Sequence, residues 1–537
     1  MLLCDMERSR IALADILAQI PADLVISAIP AATITGIAID SRRVRPGDLF
    51  VALRGGTTDG HRFIPDAISR GAAAIAAEDE PGSDGTPRAQ LRDSRQALSW
   101  IAAAFHGWPG RHLSVIGVTG TDGKTTTVNL IHQILVAAGI KAGLISTVNA
   151  VMGDTELDTG FHVTTPDAHD VQEYLGSMVR AGLTHVVLET TSHGWAQHRV
   201  DACEFDVGVV TNITHEHLDE HGSYENYRAA KARLFTSLAR TVDKPQGNPR
   251  FAVLNRDDGS FDYLARIVSV SMVSYGVGSG ADVRAVRVKE RVNGVDFTAE
   301  GAGLRVAIAT HLPGLHNVAN CLAAICATVV GLDIPPEAAA RGIAGLRGVP
   351  GRMERIHMGQ EFTAIVDFAH TPNALKATLE TARGFLRRSG SDARVIAVFG
   401  SAGMRDRLKR RMMAEISAEL ADLTVLTAED PRTESLGNIL AEMADGARLR
   451  GGREGETFWR IADRGEAIRF AVNQARAGDI VLACGKGHEQ SMCFGGVEHP
   501  WDDRTALRAA LAERLGMAGP IMPYLPTRDG SEADWLS

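Results

Sequence analysis

The stretch "GVTGTDGKTTT", Gly117 to Thr127, joins two segments of opposite periodicity. Before its glycines runs "LSVIGV", a continuous apolar stretch that reads as a buried strand. After them comes "TTVNLIHQILVAAG", apolar at helical spacing and closing on Gly139. Strand, glycine-rich turn and helix in succession place backbone N–H groups and the positive end of a helix dipole at one point, which suits an anion. Lys124 would reach the outer phosphates of a nucleotide and the Thr125 hydroxyl would hold Mg²⁺. The spacing departs from G-x-x-x-x-G-K-[ST], because Val118 occupies the first glycine position. The alternative is a turn whose glycines serve only close packing; Lys and Thr at its end favour nucleotide binding.

The same alternation continues on both sides. "HVVLET" and "VGVVTNI" are further buried strands, so the central section is a mostly parallel sheet wrapped by helices. A second set begins near Gly351, with "FTAIVDFA", "PNALKATLETARGFL", "RVIAVFG", "LTVLTAE" and "DIVLACG", and forms another α/β unit. Ahead of the loop, "ITGIAIDSRRVRPGDLFVAL" and "FIPDAISRGAAAIAAE" suggest short strands with a helix, and "HGWPGR" a linker. At 537 residues the chain is too long for one ordinary core. The expected domains are 1–111, 112–348 and 349–516, with 517–537 a loosely held tail.

A net charge of −9, with no basic block, argues against nucleic acid as a partner. Anionic ligands must then be held by local loops and a few cations. No apolar run approaches the roughly 18 residues of a membrane span. The start "MLLCDMERSR" is too soon charged for a secretory signal. Six cysteines without a C-x-x-C pair read as reduced thiols in a cytoplasmic protein and make a zinc site improbable.

Seven separated motifs, in order, resemble the Mur ligase family: "LETTSHG" (188–194), "TNITHEHLDEHGSYENYRAAKARLF" (211–235), "LPGLHNVANCLAA" (312–324), "VPGRMERI" (349–356), "VDFAHTPNAL" (366–375), "GSAGMRDRLKR" (400–410) and "GKGHEQ" (485–490). The phosphate loop resembles that family's G-T-N-G-K-T. "DSRRVRPGDLFVAL", "TTPD" (164–167) and "SHGWAQHRV" are most similar to the members that add the third residue of the peptidoglycan peptide. The resemblance implies an α/β chain of three domains: a small UDP-binding domain, a central P-loop ATPase with a parallel sheet, and a C-terminal Rossmann-like domain. It implies ATP-dependent joining of a diamino acid to UDP-MurNAc-L-Ala-D-Glu through an acyl phosphate, with two Mg²⁺ ions, and a monomer is expected.

Site residues follow from the resemblance, position by position. ATP would meet Gly120, Thr121, Asp122, Gly123, Lys124, Thr125, Thr126, Asn317, Arg352, Asp367 and His370. Glu189, His217 and Lys231 match the metal-binding positions, Lys231 as an N6-carboxylysine whose carbamate replaces a cation by a carboxylate. Without the resemblance, Lys231 reads as a surface lysine, and His215 and His221 as surface residues. Ser41, Thr164, Thr165, Thr191, Gln197 and Arg199 match acceptor contacts. Arg405, Asp430, Arg432, Gly485 and Glu489 match contacts to the amino acid.

Two departures matter. Asp122 replaces the usual loop Asn and sets a carboxylate beside the phosphates, unless it points outward or caps the helix. Family enzymes that use meso-diaminopimelate typically carry D-N-P-R; residues 429–432 read E-D-P-R. The added charge of Asp430 is expected to favour L-lysine or L-ornithine, unless Arg432 neutralises it. A folylpolyglutamate synthetase-like ligase shares the loop and the chemistry but lacks a UDP-sugar domain ahead of it. A non-catalytic nucleotide-binding partner is disfavoured because Lys124, Glu189, His217, Lys231 and Arg352 are all present.

Overall fold

A computed structural model describes residues 10–55, 58–79, 84–153, 155–158, 165–214, 221–291, 294–389 and 392–529. Thr164, His215 and His217 lie outside them. The strand expected from "LSVIGV" forms as Ser114–Thr119, buried at every position, and the helix after the loop runs Lys124–Ala137. In the same sheet Ala142–Ile145, His185–Glu189, Val207–Val210, Phe251–Asn255 and Ser271–Gly276 lie parallel to it, with Ser114–Thr119 between His185–Glu189 and Val207–Val210. The sheet then continues into an antiparallel meander, Val283–Arg291, Gly294–Gly301 and Leu304–Thr310, absent from the strand reading above. Val283–Arg291 does alternate ("VRAVRVKER"), as a strand with one wet face must.

Ahead of this sheet stands a small parallel one, Gly36–Ala38, Asp48–Val51, Ala74–Ala77 and Arg88–Gln90, with apolar clusters on both faces. "HGWPGR" is not a loose linker. Trp108 is buried at φ 55°, its indole donates to Gln19 Oε1 at 2.7 Å, and the Arg111 guanidinium covers its ring at 3.7 Å. The third sheet orders Glu354–Ile356, Thr363–Asp367, Ile480–Cys484, Val395–Phe399, Leu423–Leu426 and Phe458–Arg460, parallel except for its first strand. The expected tail is docked in its described part. Met522 and Leu525 join the core of this sheet, and the Thr527 hydroxyl donates to Asp463 at 2.8 Å. Apolar side chains at 522 and 525 outweigh the turn-forming composition around them.

At the end of the central sheet away from the loop, the Asp206 carboxylate accepts from Val115 N at 2.7 Å and from Lys244 Nζ. Lys244 Nζ also donates to the carbonyls of Leu113 and Glu204 at 2.9 and 2.7 Å. Both side chains are fully buried. Removing one charge strands the other, so Lys244→Met is expected to cost about 3–5 kcal/mol. Urea denaturation followed by tryptophan fluorescence measures this; a loss under about 1 kcal/mol would mean the pair is not needed to close this edge.

Candidate active site

Ligands of open α/β sheets sit outside the carboxyl ends of the strands. Here the register sets Glu189 beside Val118 and Val210 beside Thr119, so three strands deliver their following residues to one place. Gly120 leaves Ser114–Thr119 at φ 150°, and a Cβ there would lie 1.8 Å from Thr211 Oγ1. Gly123 turns at φ 82° against Asn320, whose Oδ1 would be 2.4 Å from a Cβ. Only glycine fits at both points. Asn212 ties the turn down: its carbonyl accepts from Thr121 N at 2.7 Å, its Oδ1 from Asp122 N at 3.0 Å, and its Nδ2 donates to Asp122 O at 3.0 Å. The first helix amide with a capped partner is Thr127 N, on Gly123 O at 2.9 Å. The amides of Lys124, Thr125 and Thr126 precede it at the helix start, where intrahelical acceptors run out and an anion is favoured.

Side chains converge on that point. Thr125 Oγ1 donates to Glu189 Oε1 at 3.0 Å, and Glu189 Oε2 accepts from Thr147 N at 3.1 Å. Arg352 Nη2 reaches Thr125 Oγ1 at 3.3 Å, while its buried Nε has no hydrogen-bond partner among the described residues. Lys124 Nζ folds back on Thr121 O at 2.7 Å. Lys231 is no surface residue. It is 2% exposed, donates from Nζ to Gly120 O at 2.6 Å, and lies 4.5 Å over the Tyr227 ring. The Tyr227 hydroxyl in turn meets Thr121 Oγ1 at 2.9 Å. His221 packs edge-on to Tyr227 at 5.4 Å, partly buried and not on the surface.

Asp122 does not cap the helix. Burial pushes its carboxyl up, against the pull of Lys124, Arg352 and Lys231. That favours the protonated form and lessens repulsion of phosphate.

Asp367 ends its strand with both oxygens engaged, Oδ2 accepting from Met353 N at 2.6 Å and Oδ1 from Ala369 N and Thr378 Oγ1 at 3.0 Å. It holds the Arg352 turn. Gly351 in that turn, at φ 64°, is pressed on the 485–488 loop; a Cβ would meet His488 N at 2.2 Å. Arg352 lies over Phe368 at 4.3 Å, and Phe368 packs on His370 at 4.5 Å. Burial holds His370 neutral, its pKa pushed down to about 3. Asn317 accepts from Asn320 Nδ2 at 3.0 Å, which links it to the Gly123 turn.

Of the acceptor positions, Thr165, Thr191, Gln197 and Arg199 form one network. The Thr165 and Thr191 hydroxyls are 3.2 Å apart, and Arg199 donates to Thr165 O at 2.6 Å and Gln197 Oε1 at 2.7 Å. Thr191 also caps the next helix through Gly194 N. Ser41 lies apart in the small sheet's unit, its hydroxyl on Asp66.

The amino-acid candidates gather at the carboxyl ends of the third sheet. Asp430 is paired, but with Lys486: Nζ lies 3.0 and 3.1 Å from its two oxygens. Lys486 also meets Glu489 Oε2 at 2.5 Å. Burial pushes the Glu429 and Glu489 carboxyls up. Arg464, paired bidentately with Asp503, donates to the carbonyls of Ala428 and Cys484 at 3.1 and 2.8 Å and so locks the two loops together. The expectation built on a free Asp430 charge therefore loses its premise, because a buried lysine cancels it. Asn212, Lys486 and Arg464 were not singled out from sequence, although the first two stand within quoted motifs.

No group of three or more His, Cys, Asp or Glu able to hold a metal occurs among the described residues. The Thr125 hydroxyl beside the buried Glu189 carboxylate is an oxygen pair suited to Mg²⁺. The unpartnered Arg352 Nε and the three helix-start amides fit a phosphate.

Family models match residues 33–106 (Mur ligase family, catalytic domain), 118–328 (Mur ligase middle domain) and 351–487 (Mur ligase, glutamate ligase domain). A UDP-N-acetylmuramyl-tripeptide synthetase of Roseiflexus sp. (strain RS-1) is 44% identical, covering 90% of this chain and 96% of its own. A UDP-N-acetylmuramoyl-L-alanyl-D-glutamate–2,6-diaminopimelate ligase of Geobacillus thermodenitrificans (strain NG80-2) is 42% identical over 90% and 95%. A solved structure of a ligase of that second name superposes with a TM-score of 0.60 at 32% identity, over 90% of this chain and 95% of its own. With these matches spanning all three sheets, the chain belongs to the Mur ligase family.

Proposed function

We propose that this chain is an ATP-dependent ligase of peptidoglycan precursor synthesis, joining a diamino acid to UDP-MurNAc-L-Ala-D-Glu. The observation that carries it is Arg352, from beyond the central sheet, reaching Thr125 of the phosphate loop beside the buried Glu189. ATP would supply the phosphoryl group that turns the acceptor carboxylate into an acyl phosphate; the incoming amine attacks its carbonyl carbon, and phosphate leaves as the amide forms. Two anions must approach each other, so the protein's part is positioning and charge neutralisation. Lys124, Arg352 and the helix-start amides would take the phosphates. Thr125, Glu189 and carbamylated Lys231, with His217 from outside the described residues, would hold two Mg²⁺ ions that offset the oxygen charge. Thr165, Thr191, Gln197 and Arg199, with Ser41 and Thr164, would bind the acceptor.

With domain bounds of 1–111, 112–348 and 349–516, the acceptor would be shared between the first two (Ser41 against Thr164, Thr165, Thr191, Gln197 and Arg199) and ATP between the last two (Lys124 and Thr125 against Arg352, Asp367 and His370). No helix of the described residues is long and apolar enough to cross a membrane, and five cysteines are free and buried. The ligase reading itself carries the proposal of a monomer working in the cytoplasm. For the amino acid, the Lys486–Asp430 pair and the diaminopimelate ligases among the relatives support meso-diaminopimelate. Mass spectrometry of a competition between meso-diaminopimelate, L-lysine and L-ornithine tests this, with the diaminopimelate tripeptide expected. A lysine or ornithine product would show that the pocket's charge balance was misread.

A further inference from the structure

Lys486 is only 1% exposed, whereas Asp430 and Glu489 above it are 17% and 23% exposed. Its ammonium lies beneath the two carboxylates and is spent on them, so it is not itself a ligand contact. Asp430 is fixed further by Cys493 N, which donates to Oδ1 at 3.0 Å, and by backbone bonds at Arg432, whose N donates to Cys493 O and whose O accepts from Gly495 N. Both Asp430 and Arg432 hold positive φ, 41° and 55°. Such strain persists where surroundings over-determine the backbone. One ammonium, Lys486, thus holds both the Asp430 and Glu489 side chains, at 3.0 and 2.5 Å. The Gly403 loop lies against this one, Gly403 N donating to Asp430 O at 2.9 Å.

We propose that Lys486 is a specificity-determining positioning residue, whose charge cancels Asp430 and keeps the pocket open to a substrate end bearing a carboxylate beside its ammonium. The distal end of meso-diaminopimelate has that character; the side-chain end of L-lysine has the ammonium alone. This inference rests on the ligase reading above. In Lys486→Met two carboxylates face the substrate uncompensated, so the ratio of kcat/KM for meso-diaminopimelate to that for L-lysine is expected to fall about tenfold or more. The KM for ATP should not move. Adding Asp430→Asn to Lys486→Met removes the stranded charge and is expected to restore the ratio to within about threefold. A double variant as impaired in that ratio as the single one overturns the proposal, since a lysine that only fills space is not rescued by a charge change elsewhere. Should Lys486→Met fail to fold, Asp430→Asn alone decides. It frees the Lys486 charge and should raise the ratio above that of the unaltered enzyme, and an unchanged or lower ratio overturns the proposal. An unaltered enzyme that prefers L-lysine overturns it too, leaving the ligase reading intact; one that uses neither amino acid overturns both.

Discussion

Lys124→Ala should leave no more than about a thousandth of the unaltered turnover, because a lost cation at a transferring phosphoryl group is not replaced by water. Lys124 is the first residue of its helix, and its Nζ lies on Thr121 O, inside the turn that the helix-start amides face. Its neighbours cannot substitute: Lys231 is committed beneath the turn to Gly120 O, and Arg352 approaches from the other side through Thr125. The side chain is partly exposed and makes one short-range contact, so the variant should fold normally. Steady-state phosphate release and circular dichroism together check this. Near-native turnover in a folded variant would mean that the loop does not hold the nucleotide.

Lys231→Ala is expected to be nearly inactive, by about three orders of magnitude, and to regain part of its activity with a short carboxylic acid such as acetate. A lysine 2% exposed, set against Gly120 O and the Tyr227 ring, is kept where a bare ammonium is costly. Capped by CO₂, the same side chain would present a carboxylate under the phosphate loop and join Thr125 and Glu189 as an oxygen ligand. Carbon-13 NMR with labelled bicarbonate should show the carbamate directly. Loss of activity with no rescue by any small acid would instead assign Lys231 to holding the Gly120 carbonyl.

The buried strands were legible because each is a short, nearly continuous apolar run, and such runs need no tertiary information. The glycines themselves were legible as a turn, but not that Thr211 and Asn320 occupy the space their Cβ atoms would need. What the sequence hid was pairing across long separations. Nothing local says that Lys486 meets Asp430, 56 positions away, or that Asn212 carries the turn at Thr121 and Asp122. The Asp430 charge was judged against its sequence neighbour Arg432, whose backbone instead runs along the Cys493 hairpin. The meander after Val283 was missed although it alternates, because its wet face dilutes the apolar signal that marked the parallel strands. Lys231 read as a surface residue because a helix position between two alanines carries no sign of the loop folded over it.

The proposed reaction couples three substrates, so it is tested by phosphate release from ATP with each other substrate left out in turn. Release should require Mg²⁺, UDP-MurNAc-L-Ala-D-Glu and the diamino acid together, with one tripeptide product formed per phosphate. Release that proceeds without the UDP-linked dipeptide, or that yields no amide product, would contradict the account.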